Sequence, residues 1–151
     1  PNHTVGRVTP FETRGHVALA GTFGYELDIT KIPEEDRQQI PAQTAMYHKY
    51  NDLIRRGDYY RIASFLENGN YDCYMVASKD RTEALVTYVQ VLSRPNFHSR
   101  RARLKGLIPE KQYKVEETGE VSGGDVLMQA GLLVAPLWGD YRSRLIHLTE
   151  V

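Results

Sequence analysis

From residue 57 onward the chain reads as short strand-like runs broken by turn residues, and this texture restricts the possible folds more than any other feature. The runs cover 74–78, 83–92, 100–107, 112–117, 131–137 and 142–148. Their length and punctuation predict an antiparallel sandwich or barrel. Residues 83–92 are apolar on both faces, with Ala84, Val86 and Tyr88 on one side and Leu85, Val89 and Val91 on the other. That pattern predicts a central strand. Residues 100–105 alternate charge with Ala102 and Leu104, as expected nearer a solvated face.

The first 57 residues have a different pattern. In 16–29, Phe23, Tyr25, Leu27 and Ile29 alternate with small or polar neighbours, which predicts a strand ending near Asp28 after a short apolar segment. Thr30 can cap a turn and Pro33 opens the acidic stretch Glu34-Glu35-Asp36, while Arg55-Arg56 precede Gly57. Acid at the start and base at the end predict a long helix. Ile40, Tyr47, Tyr50, Leu53 and Ile54 give it one apolar face. Pro41 interrupts the pattern: it either kinks the helix or marks the first turn of the real one, after a separate short turn. One strand and one helix followed only by strands predict two units, with a boundary between Gly57 and Leu66.

Composition narrows the function classes. A 41% hydrophobic content over 151 residues can fill a core. Nineteen Lys plus Arg balance nineteen Asp plus Glu, so no net field draws the chain to nucleic acid or to an anionic membrane. No run approaches the roughly 20 apolar residues of a membrane span. Cys73 is the single cysteine, which excludes an internal disulfide and any zinc site with two cysteines, and a reducing, cytoplasmic setting is expected. The opening Pro1-Asn2-His3 lacks an initiator Met and leads to the expectation that the chain is a fragment.

Several phrases, in order, carry a resemblance. They are Pro1-Asn2-His3 with Gly6-Arg7, Glu12-Thr13-Arg14-Gly15, and Gly21 through Asp28. There follow Tyr47 through Arg55 with Gly57-Asp58-Tyr59-Tyr60-Arg61, then Tyr88 through Leu92 with Arg94-Pro95-Asn96. The last are Gly106-Leu107, Ala130-Gly131-Leu132 and Gly139-Asp140-Tyr141-Arg142-Ser143. Together they resemble the C-terminal part of the bacterial α-galactosidases of glycoside hydrolase family 36. Thr4-Val5 stands where relatives usually carry a Gln-Thr pair, and Pro41 falls in a helix that is usually unbroken.

The resemblance implies a mainly β chain: a C-terminal antiparallel Greek-key β-sandwich, residues 61–151, preceded by the last strand and helix of a (β/α)8 catalytic barrel, residues 1–60. It implies a larger enzyme that releases terminal α-linked galactose from melibiose- or raffinose-type oligosaccharides with retention, often as a homo-oligomer. Its partners would be the remainder of the barrel and the galactoside. The alternative is a free-standing, non-catalytic carbohydrate-binding sandwich.

A retaining glycosidase needs two carboxylates roughly 5 to 5.5 Å apart. In the family both are aspartates on earlier barrel strands, the nucleophile in a Lys-Trp-Asp type motif, whereas the sole tryptophan here, Trp138, is followed by Gly139. The resemblance therefore implies no catalytic residue in this chain, and neither cofactor nor metal is expected. Glu26 and Asp28 are the nearest substitutes, since period-two spacing puts both on one strand face, but structural bonding is the favoured role. Asn2, His3 and Arg7 are candidates for sugar contacts from a loop, with a structural role again favoured. Trp138 and Tyr141 are a candidate stacking platform, weighed against packing. Arg94, Arg100, Arg101 and Arg103 form a basic cluster expected on a solvated or interdomain face.

Overall fold

The computed structural model describes residues 6–96 and 98–151. Helix α1 spans Phe11–Ala18, α2 Glu34–Arg37 and α3 Ile40–Arg56. Strand β1 is Asp58–Ala63, followed by the single turn α4, Phe65–Asn68, and by β2, Tyr71–Ala77. Then come β3 (Glu83–Gln90), β4 (Arg100–Ala102), β5 (Gln112–Val115) and β6 (Val121–Gly123). The turn α5, Gly124–Val126, runs into a π-helical turn over Leu127–Gly131, before β7 (Leu132–Val134) and β8 (Arg142–Glu150). Each of the six expected strand runs overlaps a strand.

All pairings are antiparallel. Six strands form one sheet in the order β1-β2-β3-β8-β5-β6, and β4 pairs with β7 in a second. After β3 the chain crosses to β4, returns to place β5 and β6 at the far edge of the large sheet, crosses again to β7, and lays β8 between β3 and β5, as Greek-key connections do. Register puts Met75 opposite Val86 and Val86 opposite Ile146, so one face of the large sheet is a continuous apolar layer. That layer meets Ala102, Leu132 and Val134 of the small sheet in the main core.

The other face of the same central strands is also covered. Val76 and Leu85 pack against Tyr50 and Leu53 of α3, with Met46, Ile54 and Leu145 at the margin. This explains why β3 is apolar on both faces: it is sandwiched between the small sheet and a helix. Gly57 makes the sharp entry from α3 into β1. A Cβ there would stand 2.6 Å from the Ala77 carbonyl oxygen and 2.7 Å from that of Leu53, so only glycine fits.

In the N-terminal region one of the two alternatives at Pro41 is realised and one expectation is overturned. Pro41 sits in the first turn of α3, where its missing N–H costs nothing, and the acidic stretch before it is the separate turn α2. The strand expected within 16–29 is absent: residues 16–18 belong to α1 and no strand is assigned from 19 to 33. The alternation is nonetheless visible in burial, with Phe23, Tyr25 and Leu27 half-buried and Thr22, Gly24, Glu26 and Asp28 exposed. A strand exists only through a neighbour that accepts and donates its backbone hydrogen bonds. Here the inward side chains find partners and the backbone does not pair in a ladder.

Candidate functional site

The helical region is joined to the sheet by buried polar contacts that the sequence did not single out. His16 on α1 reaches Ser143 at the start of β8, Nδ1 to Oγ 2.8 Å, and the Ser143 hydroxyl donates to Thr13 Oγ1 at 2.9 Å. The Ser143 hydroxyl therefore bridges the His16 ring and the Thr13 hydroxyl of α1. Burial pushes the His16 pKa down, partly opposed by the charge of Glu12, so the ring is held neutral. The residues are some 130 positions apart, and no local pattern marks such a link. Gln43 on α3 plays a similar part: its Nε2 donates to the Phe11 carbonyl at 2.9 Å, and its Oε1 accepts from the Tyr25 hydroxyl at 2.8 Å. Gly15 leaves room for that amide, which would lie 2.6 Å from a Cβ.

Of the residues singled out from the sequence, Asn2 and His3 lie outside the described residues. Arg7 is exposed and places its guanidinium over the Tyr141 ring, 5.3 Å from the centroid. Glu26 and Asp28 share the exposed side of the unpaired segment, but Asp28 is committed to its own turn. It accepts from the Thr30 backbone N–H at 3.0 Å and hydroxyl at 2.6 Å, and pairs with Lys31 at 3.1 Å. The Thr30 hydroxyl bond, before the others, holds its carboxyl below the usual range. An ionised carboxylate occupied in an Asx turn fits a loop cap better than a proton donor.

The basic cluster divides. Arg100 turns inward over the Tyr71 ring, 4.6 Å from the centroid, and Tyr71 stacks on buried Tyr88. Arg101 donates to the Gly131 carbonyl at 3.1 Å and Arg94 to that of Gly69 at 3.3 Å, while Arg103 is exposed. Ala102 and Leu104 fill the inward positions between them. Among the described residues no group of three or more His, Cys, Asp or Glu is placed to hold a metal ion. No helix among them is long and apolar enough to cross a membrane.

A concavity of about 810 Å³ runs along the junction of the helices with the sheet. Glu12 and His16 of α1, Met46 and Lys49 of α3, Trp138, and Arg142 of β8 are among its lining. The expected pairing of Trp138 with Tyr141 is not made in this groove. Tyr141 is engaged by Arg7, whereas Trp138 is 84% exposed at the groove's edge.

The loop carrying Trp138 is fixed from below. Fully buried Gln90 donates to the carbonyls on both sides of the tryptophan, Leu137 at 3.0 Å and Gly139 at 3.2 Å. Asp140 accepts from the Ser93 N–H at 2.8 Å, and the Tyr141 N–H donates to the Val91 carbonyl at 2.9 Å.

Comparison with known families identifies the chain. The family described as Glycosyl hydrolase family 36 C-terminal domain matches residues 71–148, over half of the sequence. The chain belongs to glycosyl hydrolase family 36. A second family, described as Melibiase, matches residues 1–57.

Among family 36 relatives, alpha-galactosidase AgaA of Geobacillus stearothermophilus is 45% identical over 151 residues, covering 100% of this chain and 20% of its own length. Alpha-galactosidase Mel36A of Lactobacillus acidophilus is 37% identical with the same coverage. The galactosidase domain of the alpha-galactosidase-sucrose kinase AgaSK superposes with a TM-score of 0.94 at 38% identity, over 100% of this chain and 21% of that one. A crystal structure of an AgaA variant with raffinose gives 0.94 at 44% identity with the same coverage. The chain thus spans about a fifth of the length of the family 36 relatives it matches.

Proposed function

We propose that this chain is a non-catalytic portion of an α-galactosidase, residues 1–60 completing a catalytic barrel and residues 61–151 forming the sandwich behind it. The observation that carries this reading is the order of the two family matches, Melibiase over 1–57 and the family 36 C-terminal domain over 71–148. The unpaired extended segment around Phe23–Leu27 supports it. A segment that keeps strand-like alternation without a ladder is what a barrel strand becomes when its neighbours belong to other parts of the protein.

In this reading the whole enzyme removes terminal α-linked galactose from raffinose-type oligosaccharides, and raffinose is the sugar bound in a similar crystal structure. Retention requires an aspartate nucleophile and an aspartate acid/base, both outside this chain. The chain's residues hold the barrel closed and seat it on the sandwich through His16, Ser143 and Thr13. The protein is bacterial and cytoplasmic, in keeping with its single cysteine, and assembles as a homo-oligomer, as the family resemblance implies.

The test is hydrolysis of a chromogenic α-galactoside by these 151 residues and by a longer protein that contains them. Activity in the longer protein alone is expected. Turnover by the 151 residues would overturn the reading and direct mutation to Glu26 and Asp28.

A further inference from the structure

We infer that the groove at the helix–sheet junction is a saccharide-binding site, with Trp138 as its stacking face and Glu12 and Arg142 as its hydroxyl-binding groups. The choice of a sugar rests on the galactosidase reading above; the groove residues named here all belong to this chain.

The tryptophan is the first reason. A side chain of this size is seldom left 84% exposed, since its ring carries one of the largest apolar payloads of any residue. The loop that presents it is not a floppy excursion. Gln90 clamps the carbonyls before and after it, and Ser93 and Val91 hold the two residues that follow. A platform already fixed in place has little ordering entropy left to lose on binding.

Charge is the second reason. Glu12, Arg142 and Arg144 line the groove, and none of them forms a salt bridge among the described residues. Lys49 also lines it but lies over the Tyr50 ring, 4.9 Å from the centroid, and Glu117 already accepts from the His147 N–H at 3.0 Å. Both signs of charge thus face one groove. Carboxylate and guanidinium are planar, two-pronged groups that suit adjacent sugar hydroxyls as acceptor and donor. The C–H face of a pyranose then covers the indole. A volume of about 810 Å³ lies within the range of small-molecule sites.

Trp138 is the only tryptophan, so tryptophan emission excited at wavelengths that spare the tyrosines reports on this groove. Titration with raffinose is expected to give a saturable emission change with a Kd on the order of 1 mM. Glycerol at matched osmolarity should give none. In calorimetry Trp138→Ala should weaken raffinose binding at least tenfold, and Glu12→Gln and Arg142→Gln about threefold or more each, with unchanged far-UV circular dichroism.

The inference fails if emission does not saturate, if glycerol reproduces the change, or if Trp138→Ala binds raffinose as well as the unaltered chain. It fails too if emission shifts with protein concentration in the absence of sugar, because the groove would then be filled by a second copy. Binding by this chain alongside an inactive longer protein would uphold the groove and remove the galactosidase reading, so the two are separable.

Discussion

Both halves of the molecule are rich in aromatic rings, and they use them differently. In the sandwich Tyr88 and Tyr113 are almost wholly buried within a core that the two sheets close between them. Tyr113 is also a tie, donating to the Arg81 carbonyl at 2.8 Å and accepting from the Ile108 N–H at 3.1 Å. In the helical region Phe11 stacks on Tyr25, Tyr25 meets Phe23 edge-on, and Phe23 stacks on Tyr47, with centroids 5.2 to 5.9 Å apart. Three of those four rings remain half-buried. The sandwich completes its own core, whereas the helices borrow the outer face of the sheet on one side and leave an aromatic layer short of cover on the other.

That asymmetry predicts graded responses to mutation. The largest should come from the shared inner layer: Leu148→Ala, at a fully buried site, is expected to cost about 3 kcal/mol in urea denaturation and to lower the protection of both regions together. If the helices kept their hydrogen-exchange protection while the sandwich lost its own, they would not depend on the sheet. Gly57→Ala comes next, at about 2 kcal/mol, because the added methyl meets two backbone carbonyls at the turn from α3 into β1.

Ser143→Ala should cost about 1 kcal/mol and act locally. Amide exchange should rise over α1 and stay unchanged over β2 and β3. Equal loosening of those strands would mean that the two regions open as one unit.

The smallest effect is a separation in pH. His16 has a folded pKa below its ordinary 6.5, so below that pH the unfolded chain takes up a proton that the folded chain refuses. Stability therefore declines as pH falls through the window beneath 6.5, and the loss should show first in α1. Asp80, hydrogen-bonded to Ser78 and Thr82 in the β2–β3 turn, is lowered from 3.8 to about 2. Its contribution is present above pH 4 and is lost only as pH falls toward 2. Denaturation midpoints at pH 7, 5 and 3, compared between the unaltered chain and His16→Asn, should lose the upper step alone.

Legibility from sequence followed the same division. The sandwich strands were readable because turn residues mark their ends and because β3, covered on both faces, is apolar on both. Strand β1 was not: Asp58–Ala63 is an edge strand with mixed burial and a bulge between Arg61 and Ala63, so its pattern is weak. Residues 100–107 read as longer than the strand they contain, since after Ala102 the chain leaves the ladder and the Leu104 N–H donates to Leu127 instead. The segment around Phe23 alternates like a strand without being one, because alternation reports which side chains turn inward, while pairing depends on what lies alongside. Of the candidate site, Trp138 is visible in the sequence as one member of a candidate stacking platform with Tyr141. The groove beside it was not, because it is assembled from α1, α3 and β8, far apart in sequence.

The burial of Cys73 has a practical consequence. Its thiol is 1% exposed on β2 and burial, before the nearby Asp72 charge, pushes its pKa to about 12, so the reactive thiolate is scarce at neutral pH. An alkylating reagent can consume it only when the sheets part, which turns the rate of labelling into a clock for the opening of the sandwich. With one thiol sealed inside and one indole displayed outside, two optical or mass-spectrometric readouts follow interior and surface separately, without any engineered label.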